Sequence, residues 1–213
     1  MALVLNEEQS MLKDAAAGFL AEKATVAHLR ELRDSGDATG FSQDVWKEMA
    51  DMGWAGIAID EEFGGLGYGY TGLGLVLEQV GRNLSASPLQ SSVLIGATII
   101  AELGDQAQKE QFLPAIASGQ SIVSLALQEG AHHAPSHIVT TAVAGGDGYV
   151  LNGSKRLVLD AHVADTFVVI ARTGGEPGDA DGLSAFLVDA KADGVAVEQR
   201  SMVDNLNACL LYT

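Results

Sequence analysis

FLPAIASGQSIVSLAL, residues 112–127, is where the chain changes its hydrophobic period. Before it, apolar residues recur at three- and four-residue spacing. After it they come in short runs separated by turn residues. Phe112, Leu113 and Ile116 end a helical pattern, and Ser118 with Gly119 breaks it. Ile122, Val123, Leu125 and Leu127 then form a compact apolar run that reads as a strand. This predicts a boundary at 118–121, with a helical domain over 1–119 and a β domain over 120–213.

Toward the N-terminus, Asn6 with Gln9 three residues later forms a capping-box pattern. Leu12, Ala15, Ala16, Phe19 and Leu20 follow on one helical face. The stretch 36–40 breaks that pattern. Ser42 is placed to cap a second helix carrying Val45, Trp46, Met49 and Gly53. Residues 62–74 read as a glycine-rich loop and 73–84 as a helix. Ser91 or Ser92 opens a further apolar helix that stops near Gly104, and 106–116 gives a short one interrupted by Pro114.

Toward the C-terminus, 137–144, 149–151, 155–159, 166–171, 183–188, 195–199 and 208–212 are strand-like. GGDG, NGSK, GGEPGDADG and ADG separate them. Strands at this spacing predict a small barrel or sandwich. Helices followed by strands, rather than alternating with them, point to an α+β fold and against a doubly wound parallel sheet.

The chain has 213 residues, 47% of them hydrophobic and 19% charged, enough to bury a core. Twelve basic residues against 28 acidic ones leave a net charge of −16, which repels phosphate backbones and anionic lipid. Nucleic-acid binding and membrane insertion are therefore not expected. The single cysteine, Cys209, excludes a disulfide framework and a Cys-rich metal site and fits a reducing, cytoplasmic setting. The opening MALVLNEEQ has too short an apolar run for a signal peptide.

Several motifs are ambiguous alone. Gly67-Tyr-Gly69-Tyr-Thr-Gly72 matches the dinucleotide pattern, which needs a strand before it and a helix at its end. Its nearest strand-like piece, 57–59, is followed by Asp60-Glu61-Glu62, whose carboxylates repel a diphosphate, so a tight loop is the better reading. His133 and His137 have helical chelating spacing, with His132 adjacent, but Pro135 opposes a helix there, and no metal site is expected. The acids at 60–62 read as a solvated turn, Glu78 stays ambiguous, and no G-x-S-x-G elbow supports a hydrolase.

In order along the chain, these pieces form a pattern. Asn6-Glu7-Glu8-Gln9 opens it. Met52-Gly53-Trp54 follows, with Glu61-Glu62-Phe63-Gly64-Gly65-Leu66-Gly67, then Leu77-Glu78-Gln79-Val80-Gly81-Arg82. Phe112-Leu113-Pro114 with Ile116-Ala117-Ser118-Gly119 comes next, then Ala126-Leu127-Gln128-Glu129. Tyr149-Val150-Leu151-Asn152-Gly153-Ser154-Lys155 and Ala164-Asp165 with 168–172 complete it. The chain resembles the acyl-CoA dehydrogenase family over nearly its whole length.

The resemblance implies an N-terminal helical domain, a β domain, and a C-terminal helical bundle that would lie beyond Thr213. That bundle carries the family's catalytic glutamate, so no residue here inherits the role. It also implies FAD as cofactor, an acyl-CoA thioester as substrate, and electron-transfer flavoprotein or a similar acceptor as partner. The assembly is expected to be a homo- or hetero-oligomer. In the family reaction the α-proton leaves to a carboxylate and the β-hydride goes to the flavin. The corresponding cofactor-binding positions are Leu125, Leu127, Gln128, Leu157 and Leu159, mostly through backbone atoms, with His133 and Ala134 near the diphosphate or the thioester.

The side chains there depart from the family. Gln128 replaces a threonine, His133-Ala134-Pro135 replaces Gly-Ser-Asp, and Leu157-Val158-Leu159 replaces Trp-Ile-Thr. Three lost contacts of about 0.5–1.5 kcal/mol each total roughly 2–4 kcal/mol. That is about 30- to 1,000-fold in affinity. Two functions follow: an FAD-dependent acyl-CoA dehydrogenase, or a degenerate, non-catalytic subunit of a mixed dehydrogenase oligomer.

Overall fold

The computed structural model describes residues 4–146, 148–200, 202 and 207–213. Residues 1–3 of the N-terminal run and Asp147 of the GGDG turn lie outside them. The chain divides into two compact units, Met1–Ser121 and Ile122–Thr213.

The first unit is helical. Helix α1 (Glu7–Lys23) starts at Asn6, whose side chain accepts from the Gln9 N–H (2.8 Å) while Gln9 accepts from the Asn6 N–H (3.1 Å). Helix α2 (Val26–Ser35) was not expected: Thr25 caps it and Gly36 ends it in the left-handed region, but it buries no residue fully, so no apolar stripe marks it. Helix α3 (Gln43–Asp51) starts at Ser42 and buries Val45, Trp46 and Met49, and Gly53 falls beyond its end at φ 81°. The Trp46 ring nitrogen donates to the Gly119 carbonyl at 3.0 Å, tying α3 to the end of the unit.

Residues 57–59 are not a strand. Their backbone groups are taken by local turns and by Gly67 and Tyr68, which donate to the carbonyls of Ile59 and Ile57 at 2.9 Å. Gly65 packs against the Ile59 carbonyl where no Cβ fits, so the glycine-rich stretch is a tight knot. Helix α4 (Gly69–Asn83) starts inside the Gly67–Gly72 pattern, earlier than expected and with no strand before it. The dinucleotide geometry is therefore missing there. On α4, Glu78 pairs with Lys13 at 3.3 Å.

A π-helix (Leu89–Ala97) runs into α5 (Thr98–Leu103), which stops at Gly104. Helix α6 (Gln106–Ala117) has a second capping box, Asp105 with Gln108. It continues through Pro114, which lies near its C-terminal end and forfeits one helical bond. No helix among the described residues is long and apolar enough to cross a membrane.

The second unit holds two open sheets. Strands β1 (Val123–Ala126), β5 (Thr166–Arg172), β2 (Thr141–Gly145) and β3 (Gly148–Asn152) are neighbours in that order, and β6 (Leu183–Asp189) pairs β5. Strand β1 runs parallel to β5, and β6 runs antiparallel to it. The second sheet has the order β4 (Ser154–Leu159), β8 (Ala208–Tyr212), β7 (Ala196–Arg200), all antiparallel. Ala126, Phe167 and Val169 of the first sheet share a buried core with Val158, Cys209 and Leu211 of the second. This is a sandwich, and among the described residues neither sheet closes into a barrel. The expected strand at 137–144 begins only at Thr141. The N–H groups of Val139 and Thr140 donate to the Glu129 carboxylate instead of to a ladder.

Candidate functional site

The end of β1, the loop that follows it and strand β4 meet in the second unit. The Arg156 N–H donates to the Gln128 carbonyl at 2.7 Å, and the Ser124 hydroxyl donates to the Leu159 carbonyl at 2.6 Å. These bonds cross from one sheet to the other and bring Leu125, Leu127 and Gln128 beside Leu157 and Leu159. Side chains alternate along a strand. Ser124 and Ala126 therefore face β4 and the core, while Leu125 and Leu127 point the other way and are half-buried.

Strand β4 carries a bulge. Lys155 pairs with Leu211 and Val158 with Cys209, so three steps on β4 match two on β8. The extra residue leaves Arg156 and Leu157 both facing outward. Leu157 is 50% exposed and sits at φ 53°, a left-handed conformation that a bulky side chain adopts only at a cost of about 1–3 kcal/mol. Bulges and strained residues of this kind gather beside working sites.

His133 and Ala134 are exposed in the loop between β1 and β2. Gln128 does not reach outward: its amide nitrogen donates to the carbonyls of Gly130 (3.0 Å) and His132. The main-chain N–H groups of residues 129–134 donate to no atom among the described residues. His132, His133 and His137 lie on a loop rather than a helix. Among the described residues no three His, Cys, Asp or Glu side chains are grouped to hold a metal.

Beneath this loop lies a charge pair that sequence reasoning missed. Lys155 has no exposed side-chain surface, and its ammonium donates to Glu129 (2.7 Å), the Ile170 carbonyl (2.5 Å) and the Leu127 carbonyl (3.4 Å). The Glu129 side chain is 8% exposed and also accepts from Val139 N–H (2.6 Å), Thr140 N–H (3.0 Å) and the Thr140 hydroxyl (2.5 Å). Burial raises the Glu129 carboxyl, but its bonds to Lys155, Thr140 and the two N–H groups outweigh this and leave it below the usual carboxylate value. Burial is also the largest influence on Lys155, lowering it below an ordinary lysine against the opposing pull of Glu129. Both residues stood in quoted motifs, Ala126-Leu127-Gln128-Glu129 and the lysine after Asn152-Gly153, but nothing in either motif joined them.

Gly153 explains the glycine of that second motif. A Cβ there meets the Thr140 hydroxyl and lies 2.7 Å from the Thr140 Cβ. Gly153→Ala is expected to lower the stability of the unit by about 1–3 kcal/mol through overpacking. Thermal denaturation checks it, and an unchanged midpoint contradicts it.

Arg172 anchors the same loop from behind. It is 5% exposed, and its guanidinium donates to the carbonyls of Ser136 (2.9 Å), Ile138 (3.1 Å), Gly174 (3.2 Å), Asp179 (3.1 Å) and Asp181 (2.8 Å). Only the Ala171-Arg172 ending of a strand motif signalled it in the sequence.

Residues 6–120 match the model of the acyl-CoA dehydrogenase N-terminal domain, and residues 126–211 match that of the middle domain. The chain belongs to the acyl-CoA dehydrogenase family. A curated relative, subunit CarC of the caffeyl-CoA reductase–Etf complex of Acetobacterium woodii, is 30% identical over 97% of this chain and 54% of its own length. The solved ChsE4–ChsE5 complex of Mycobacterium tuberculosis contains a similar chain, with TM-score 0.86 and 28% identity over 100% of this chain and 55% of that one. The acyl-CoA dehydrogenase of Bacillus anthracis, solved in complex with FAD, matches at TM-score 0.82 and 26% identity over 98% of this chain and 36% of that one. The chain thus spans about half the length of the curated relatives it matches.

Proposed function

We propose that this chain supplies the helical and β portions of an FAD-dependent acyl-CoA dehydrogenase. The observation that carries the reading is the convergence of Leu127, Gln128, Leu157 and Leu159 beside a loop whose N–H groups at 129–134 meet no acceptor among the described residues. A flavin dinucleotide offers ring carbonyls, the unprotonated ring nitrogens N1 and N5 and a diphosphate as acceptors. The main-chain donors of this loop fit that chemistry. The side chains fit it poorly, since Leu157 and Leu159 donate nothing and the Gln128 amide is turned onto its own loop.

When bound, the flavin supplies the hydride acceptor. The chain's own part is to orient it: the half-buried apolar strands exclude water, and the loop N–H groups hold the anionic end. No residue here is assigned the proton-abstracting role. An acyl-CoA thioester is the substrate in this reading, and electron-transfer flavoprotein or a similar protein is the acceptor; the Acetobacterium relative is named as a subunit of a complex with Etf.

The spent Gln128 amide favours a second reading, a degenerate subunit of a mixed oligomer that binds FAD weakly. The two-chain Mycobacterium complex lends it support. The intact gene product purified alone separates the two. A bound yellow flavin that bleaches on adding an acyl-CoA thioester supports the first. Colour only after co-expression with a related chain supports the second, and no colour in either case overturns the flavin reading.

The same site makes a second prediction. Leu159→Thr returns one hydroxyl to the strand and should tighten FAD binding about 2- to 10-fold, the worth of one neutral hydrogen bond. Fluorescence titration of FAD measures it, and unchanged affinity shows that this strand does not face the ring.

A further inference from the structure

The loop from Glu129 to Thr140 begins and ends at one carboxylate. Glu129 accepts from the N–H groups ten and eleven residues further on, at Val139 and Thr140. Its counter-ion comes from another strand: Lys155 reaches out of β4 to Glu129, to Leu127 at the end of β1, and to Ile170 on β5. Lys155 also stands two residues before Leu157, at the start of the β4 bulge. One ion pair therefore touches the loop's start, the loop's end, the bulge and the strand beneath.

An apolar contact at this place would let the loop slide, because dispersion has little direction. A buried carboxylate that must satisfy an ammonium, a hydroxyl and two N–H groups permits few arrangements. Arg172 adds a second hold on the same loop through the Ser136 and Ile138 carbonyls.

We propose that Glu129 and Lys155 are positioning residues: their ion pair clasps the loop shut against the β4 bulge and thereby sets how tightly this half-site holds its flavin. The affinity half of this statement rests on the flavin reading; the loop-ordering half does not.

The test uses the full chain with both charges replaced by apolar residues of similar volume, Glu129→Leu with Lys155→Met. Such a paired replacement commonly keeps or raises stability, so the thermal midpoint should stay within about 5 °C. Two readouts follow. Amide hydrogen exchange of His137 and Ile138, whose N–H groups bond the Ala134 and Ser136 carbonyls rather than Glu129, measured without FAD, should accelerate at least about tenfold, because local opening of the loop costs less. The dissociation constant for FAD, from flavin fluorescence, should rise at least about tenfold, or 1.4 kcal/mol. Weakened flavin binding at an unchanged midpoint is a split that a merely structural pair does not produce. Unchanged exchange overturns the proposal, and so does unchanged affinity where the parent binds FAD. If the parent takes up no FAD, the flavin reading fails, and exchange alone judges the clasp. Should the double variant not fold, Glu129→Gln with Lys155→Met, which removes both charges but keeps an amide oxygen for the Val139 and Thr140 N–H groups, carries the same two readouts. Lys155→Arg alone, which keeps the ion pair with Glu129, should retain part of the parent behaviour.

Discussion

Lys155→Met alone is expected to destabilise the β unit by about 3–5 kcal/mol, the characteristic cost of leaving a buried charge without its partner. The side chain it replaces is wholly buried and gives three bonds, to Glu129 and to the carbonyls of Leu127 and Ile170. Methionine fills much of the volume, so the loss is electrostatic rather than a cavity. The pH dependence distinguishes this cause. In the parent, the folded carboxyl of Glu129 lies below its usual value, so its stabilisation is present above the unfolded value and fades as pH falls through the folded one. Without Lys155, burial dominates and raises the folded carboxyl, so the variant recovers part of its deficit as acidification protonates Glu129. The gap between parent and variant should therefore narrow from pH 7 toward pH 5. Urea unfolding at both values measures it. A deficit under about 1 kcal/mol, or one that widens on acidification, contradicts the account.

What could be read from the sequence was what is local. Asn6 with Gln9, and Ser42 before α3, act within four residues, so their patterns mapped directly onto caps. The period change near Ser121 is a property of the residues themselves, and the chain divides between Ser121 and Ile122. The two misread strands share one cause, a distant group taking up a backbone donor or acceptor, whereas α2 was missed because it buries no residue fully. Residues 57–59 have strand-like side chains, but N–H groups from the following glycine-rich stretch occupy their carbonyls. Residues 137–140 are lost to β2 because a carboxylate ten or eleven residues earlier takes two N–H groups. The site divided in the same way. The residues near β1 and β4 were legible as motif positions. The bulge at Leu157 needed the register with β8, and the Glu129–Lys155 pair needed a fold that brings together residues 26 apart. Lys155 gave no hint of burial in its own residue type, since lysine is mostly exposed, although the outward-facing Ser154 and Arg156 on either side fit a strand that turns it inward.

Arg172→Lys should cost nearly as much, about 3–5 kcal/mol, although it preserves the charge. All five guanidinium N–H donors are engaged, and every acceptor is a main-chain carbonyl. These carbonyls lie on two segments, 136–138 and 174–181, which one main-chain bond also joins, from the Gly178 N–H to the Ser136 carbonyl at 3.1 Å. A planar fork spans both, whereas a single ammonium with three donors cannot, so at least two carbonyls lose charge-assisted bonds worth about 1.5–3 kcal/mol each. The pH signature differs from that of Lys155→Met. The change exchanges one cationic residue type for another and orphans no carboxylate, so the deficit of Arg172→Lys should hold steady from pH 7 to pH 5. Faster amide exchange should appear in both segments, since one side chain bonds carbonyls of each. If exchange rises in one segment only, the guanidinium does not hold the other. A stability loss under about 1 kcal/mol would mean that water replaces its bonds without penalty.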